Sequence, residues 1–199
     1  MIELQYFGDI CSYLKFIQQI DVEFSLYQNY QRASKLNRMR LMGANGPLLL
    51  SVPLEGGRDQ QVALKDLRIS YAEPWQRIHW RGIHDNYRKA PWFDDYAPGL
   101  EELFRKREKF LLDLNLKTTE WAVQRLKLKV DFLAEKTGEG IAGRVQFAKE
   151  AKQPEVGNWP VYQQVFSDRH GFVPNLGIID LLLCEGPMAI NYLKKIAQL

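Results

Sequence analysis

The chain has 199 residues, 46% of them hydrophobic and 26% charged, with 27 basic against 24 acidic side chains and a net charge of +3. That length and composition suit one globular domain able to bury its own core, and the near balance of charge argues against a nucleic-acid binder. Two cysteines far apart, Cys11 and Cys184, exclude a disulfide framework and a cysteine-based zinc site.

The opening MIELQYFGDI lacks a basic stretch before an apolar run, so no signal peptide is expected. No apolar run reaches the roughly 18 residues a membrane span needs. A cytoplasmic location is the expectation. Residues 2–7 alternate weakly and read as a short strand. Residues 9–20 place Ile10, Tyr13, Leu14, Ile17 and Ile20 at helical spacing behind an Asp9 cap. Residues 22–27 are β-branched and aromatic, hence a strand, and 28–36 are polar and basic.

Residues 36–42 alternate Leu36, Arg38, Arg40 and Met42 against Asn37, Met39 and Leu41, which predicts a strand with arginines on one face. The turn Ala44-Asn45-Gly46-Pro47 and the apolar run 48–54 complete a hairpin near 36–54. Residues 55–60 are a loop, and 62–70 read as an edge strand. From Pro74 to Pro91, Trp75, Ile78, His79, Gly82, Ile83, Asn86 and Tyr87 form one inward stripe of a helix over 74–89. Gln76, Arg77, Arg81, His84, Asp85 and Arg88 face water on the other side.

Residues 92–98 are an aromatic, acidic connection. Helical patterns then run through 99–126, first on Leu100, Leu103, Phe104, Phe110, Leu111 and Leu114, then on Thr118, Trp121, Ala122, Arg125 and Leu126. Residues 129–134 read as a strand and 137–143 as a glycine-rich loop. Residues 159–174 are short and aromatic with a turn at His170-Gly171. Asn175 is expected to cap a closing helix over 175–197, with Leu176, Ile179, Leu182 and Leu183 buried and a stop or kink at Gly186-Pro187. The sum is an α/β fold, or α+β where the hairpin dominates. It has a single mixed sheet and flanking helices over 74–89, 99–126 and 175–197. One domain spans 1–199, with room for a helical subdomain near 99–128.

Chemistry is sparse. His79 and His84 stand five apart, off the i, i+4 spacing of a ligand pair, and no metal is expected. Neither cysteine has an activating neighbour in sequence, and no nucleophile elbow is present. His79 is the one histidine on an inward face, with Asn86 and Tyr87 nearby on the stripe. It reads either as a general base or as a core histidine donating to a backbone carbonyl. The basic stretch Arg32, Lys35, Arg38 and Arg40 reads either as an anion hold or as a solvated face with cross-strand ion pairs. The cofactor, if one is used, is unknown from the sequence.

Four blocks, 29–54, 69–96, 110–116 and 162–187, resemble the WbqC-like protein family in order and spacing. They carry a His-Trp helix (His79-Trp80), a Tyr-x-x-x-Pro exit (Tyr87 to Pro91) and a late F-x-P-N-L-x-I-x-D-L-L. The motif positions are Asn29, Tyr30, Asn37, Arg38, Asn45, Trp75, His79, Tyr87, Pro91, Phe166, Pro174, Asn175 and Asp180. There are departures. Gly8-Asp9 follows Tyr6-Phe7 where relatives have a proline-rich turn, Gly177 replaces a usual serine, and the paired aspartates of many members are absent before Tyr30.

The resemblance implies a role in bacterial O-antigen or cell-surface polysaccharide biosynthesis, and some members are labelled glycine transferases. It therefore implies transfer of an aminoacyl, for instance glycyl, or acyl group to an amino-sugar. His79 and Tyr87 would be catalytic, and Asn29, Tyr30, Asn37, Arg38, Arg40, Trp75, Asn175 and Asp180 would bind ligand. The alternative is a non-catalytic sugar-nucleotide binding module or interaction protein of the same pathway. Either way the expected partner is a small molecule of the nucleotide-sugar kind. The sequence sets no oligomeric state.

Overall fold

The computed structural model describes residues 4–18, 21–22, 30, 35–57, 60, 62–132 and 158–198. Seven helices and four strands are assigned among them: α1 (Ile10–Gln18), β1 (Asp21–Val22), β2 (Arg38–Gly43), β3 (Gly46–Ser51), α2 (Trp75–Tyr87), α3 (Phe93–Arg105), α4 (Leu111–Arg125), β4 (Asp131–Phe132), α5 (Ser167–His170), α6 (Ile178–Glu185) and α7 (Ala189–Ala197). The fold is mixed α/β, as expected. Among the described residues the strands form two separate ladders rather than one mixed sheet: β1 lies parallel to β4, and β2 pairs antiparallel with β3. The other edge of β2 meets a loop: the Gly177 amide donates to the Arg40 carbonyl at 2.6 Å, and Gly177 in turn bridges to Asp9.

The core is organised on α6. Every residue from Ile178 to Cys184 is buried, so this helix is apolar all round rather than striped. Gly186, at φ +53, ends it against Trp92, and a short 3-10 turn, Gly186–Met188, leads into α7. The interruption expected at Gly186-Pro187 is present.

The α1 cap also follows expectation, since the Ser12 amide donates to Asp9 Oδ1 at 3.0 Å. In α2, Trp75, His79, Ile83 and Tyr87 are buried, but Ile78 is 52% exposed. At about 100° per residue Ile78 falls on the flank of the stripe, not within it.

Four further expectations need correction. Residues 4–8 are not a strand: Phe7 and Gly8 take left-handed backbone, φ +55 and +47, and only the Tyr6 amide reaches Leu36. Residues 62–70 form a 3-10 turn, Leu64–Asp66, followed by single bridges from Ile69 to Leu54 and from Arg68 to Phe110. The Arg68–Phe110 bridge and the Ile69 amide on the Lys109 carbonyl hold the end of a non-helical stretch, 106–110, which splits the helical pattern of 99–126 into α3 and α4. Finally α3 begins at Phe93, with Asp94 and Asp95 favourable in its first turn and Pro98 inside it. The residues expected to be strands at 23–27 and 133–134 and the glycine-rich 137–143 lie outside the described residues. No helix among the described residues is long and apolar enough to cross a membrane.

Candidate ligand-binding cleft

The alternation of β2 and β3 divides their side chains between two faces. Outward on β2 are Arg38 and Arg40, paired across the ladder with Ser51 and Leu49. Inward are Met39 and Leu41, both buried, while Leu48 and Leu50 pack on α2, where a Cβ on Gly82 would meet them at 3.6 and 3.7 Å. On the outward side lies a cleft of about 390 Å³, floored by the hairpin and walled by the start of α1 and the loop before α6. That volume is within the range of small-molecule sites. Its charged lining is Lys35, Arg38 and Arg40 against one carboxylate, Asp9.

This lining is tied together by polar contacts. Arg40 Nη2 donates to the carbonyls of Pro174 and Asn175, each at 2.9 Å. Its Nε and Nη1 make no hydrogen bond among the described residues, so half of the guanidinium fork is fixed and half is open to a ligand. Asn175, in left-handed conformation at φ +53, does not cap α6, whose N-cap is Gly177. It caps α1 instead, its Oδ1 accepting from the Cys11 amide at 2.9 Å and its Nδ2 donating to Asp9 Oδ2 at 3.3 Å. Lys35 Nζ reaches the same Asp9 oxygen at 2.7 Å. The first amides of α1 are thus taken by Leu176, Asn175 and Asp9, and the cations, not the helix end, are what an anion would meet.

The other expected site residues are interior. His79 is 3% exposed, its Nδ1 3.1 Å from the Tyr6 hydroxyl and its ring edge-on to Trp75 at 5.1 Å. Burial pulls its pKa down to about 4, against a smaller upward pull from a backbone hydrogen bond to Ser51. It lies on the α2 side of the hairpin, opposite the arginines, and does not line the cleft. Trp75 is likewise buried, packed on Tyr6, Tyr71 and His79. Asn37 closes the open end of the hairpin: its Nδ2 donates to the Val52 carbonyl at 2.8 Å, and its backbone carbonyl accepts from the Val52 amide.

Tyr87 and Asp180 belong to one buried network and are wholly inaccessible. The Tyr87 hydroxyl donates to Asp180 Oδ1 at 2.6 Å and accepts from the Met42 amide at 2.8 Å. Tyr162 and Gln164 donate to Asp180 Oδ2. Burial raises the Asp180 carboxyl, partly offset by these donors, and raises the Tyr87 phenol further from ionisation, with the Asp180 charge adding to it. Both side chains are thus engaged by protein partners, and neither lines the outer cleft.

Tyr30 is buried, with its amide on the Val62 carbonyl, and Asn29 lies outside the described residues. Burial pushes the Cys11 thiol up to about 12, which disfavours a thiolate. Among the described residues no cluster of His, Cys, Asp and Glu could hold a metal ion.

Of the expected set the structure therefore brings together Arg38, Arg40 and Asn175. Lys35 was visible within the basic stretch. Asp9 and Leu49 join them only through folding, because neither has a sequence signal beyond a cap and an apolar strand.

A model of the WbqC-like protein family matches residues 6–146, more than half of the chain. The chain belongs to the WbqC-like protein family. No curated protein and no solved structure matches it. The family match takes in the hairpin with Lys35, Arg38, Arg40 and Leu49, and Asp9 at the cleft wall. The second wall, with Asn175, lies beyond the matched span.

Proposed function

We propose that this WbqC-like protein binds a phosphate-bearing small molecule of the nucleotide-sugar class in the outer cleft, as a step in bacterial cell-surface polysaccharide biosynthesis. The observation that carries this reading is Arg40, set in place by two backbone carbonyls with the rest of its fork open, in a cleft shared with Lys35 and Arg38. A guanidinium held in advance loses little freedom when it meets phosphate, and the two other cations raise the local anion concentration. The biosynthetic setting comes from the family resemblance.

Binding without chemistry fits this cleft better than acyl transfer. Attack by an amino-sugar requires a base for the amine proton, and His79 is sealed on the opposite face. In the described lining only Asp9 could accept a proton, and its oxygens already take hydrogen bonds from Ser12, Lys35 and Asn175. Aminoacyl or acyl transfer would therefore need a base other than His79 or Tyr87.

Calorimetric titration with UDP- and dTDP-sugars tests the reading. Saturable binding that weakens as salt rises is expected, and Arg40→Ala should weaken it roughly tenfold or more, the worth of one charge-assisted contact. No heat at millimolar ligand, or unchanged binding by a folded Arg40→Ala protein, would refute it. Mass spectrometry with acyl and aminoacyl donors added decides whether any sugar is modified.

A further inference from the structure

The outward face of the hairpin is graded from charged to apolar along its length. Its cross-strand pairs run Arg38 with Ser51, Arg40 with Leu49 and Met42 with Pro47 towards the turn. Met42 is buried, but Leu49 is 55% exposed and Pro47 is exposed as well. Leu49 lines the cleft. Single exposed leucines are ordinary on protein surfaces, but this one sits in a cleft wall directly across the ladder from the fixed arginine. Directly opposed residues hold their Cβ atoms about 5 Å apart, and Pro47 stands about 7 Å further along the same face. On the side towards the turn, a ligand whose anionic group meets Arg40 can therefore rest an apolar ring on hydrocarbon, with a short linker such as a ribose between the two.

We infer that the nucleobase of the bound nucleotide sugar lies flat over Leu49, with Pro47 extending that platform towards the hairpin turn. The inference rests on the nucleotide-sugar reading. A base has a broad apolar face and keeps its polar groups at the rim, where the exposed edge of the hairpin leaves them in water. A pyranose has smaller, puckered C–H faces and more rim hydroxyls, and neither Leu49 nor Pro47 offers a side-chain partner for those. The sugar would then extend the other way, past Arg38 and Lys35 and towards Asp9. With no hydrogen-bonding side chain on the platform, Leu49 and Pro47 select for a flat ring and not for base identity, so uridine and thymidine diphosphates should bind within a few-fold of each other.

Three ligands separate the parts: pyrophosphate, UDP and UDP-glucose, titrated into the wild-type protein and into Leu49→Ser. Because Leu49 is exposed, its replacement is expected to leave the fold intact, which circular dichroism checks. UDP and UDP-glucose should both weaken by about three- to tenfold, the worth of a partly buried leucine side chain, and pyrophosphate should be unchanged. Leu49→Phe, which enlarges the platform, should bind UDP at least as tightly as wild type. Equal loss for all three ligands, loss for none, or loss confined to UDP-glucose would overturn the placement of the base. Wild-type protein that binds neither UDP nor UDP-glucose would instead refute the nucleotide-sugar reading itself.

Discussion

The two faces of one hairpin hold polar groups for opposite ends. Beneath it, the polar atoms of His79, Tyr87 and Asp180 meet other protein atoms, and titration there is shifted by burial. Above it, Arg40 is held at one nitrogen and open at the rest, in a cleft of about 390 Å³. A polar group buried with its partners specifies packing, whereas a polar group fixed at the rim of a cavity recognises something else. The comparison teaches that inward placement on a helix does not by itself mark a site. What matters is which side of the sheet holds empty space.

Substitution beneath the hairpin should reach stability first. Asp180→Ala strands the hydroxyls of Tyr87 and Tyr162 and the amide of Gln164, and should cost about 3–5 kcal/mol. For a chain of this size that is a fall in Tm of about 6–20 °C, measurable by differential scanning calorimetry. A loss under 1 kcal/mol would show that the network is not a structural one.

A pH effect of the same origin is next. His79 protonates near 6.5 when unfolded but only near 4 in the fold, so its contribution is complete above pH 6.5 and is lost as pH falls towards 4. The difference across that window is about 3 kcal/mol. The raised Asp180 carboxyl works with the opposite sign. The His79 part is therefore read as the difference between wild type and His79→Gln, whose stability should change less with pH between 4 and 6.5. Parallel curves for the two proteins would mean that the ring is hydrated, and the inner face accessible after all.

Above the hairpin, stability effects should be small and binding effects specific. Lys35 is 59% exposed in its pair with Asp9, so Lys35→Ala should cost at most about 1 kcal/mol of stability. It should weaken nucleotide-sugar binding only about two- to threefold, less than the loss at Arg40. A larger loss at Lys35 than at Arg40 would move the anion towards α1.

Local pattern was enough for several of these elements. The i, i+3, i+4 recurrence located α2, Asp9 announced α1, and the strand alternation of 36–42 separated the arginines from Met39 and Leu41. It could not place α3 and α4, because the interruption at 106–110 comes from bridges to residues some forty positions earlier. Asn175 looked like the cap of the helix that follows it, yet its side chain serves α1, more than 160 residues away in the chain. Any helix start offers unpaired amides, and sequence proximity does not decide which asparagine reaches them.

Short-range periodicity and motif were enough for the family, the mixed α/β class, the hairpin and the division of its side chains into a cationic and an apolar face. That His79 and the arginines lie on opposite sides of that hairpin, and that Asp9, Lys35, Arg40, Leu49 and Asn175 share one cleft, came from the packing of distant segments. Side-chain periodicity states which residues point the same way within one element. Whether another element covers that direction, or leaves it open, is set by long-range packing.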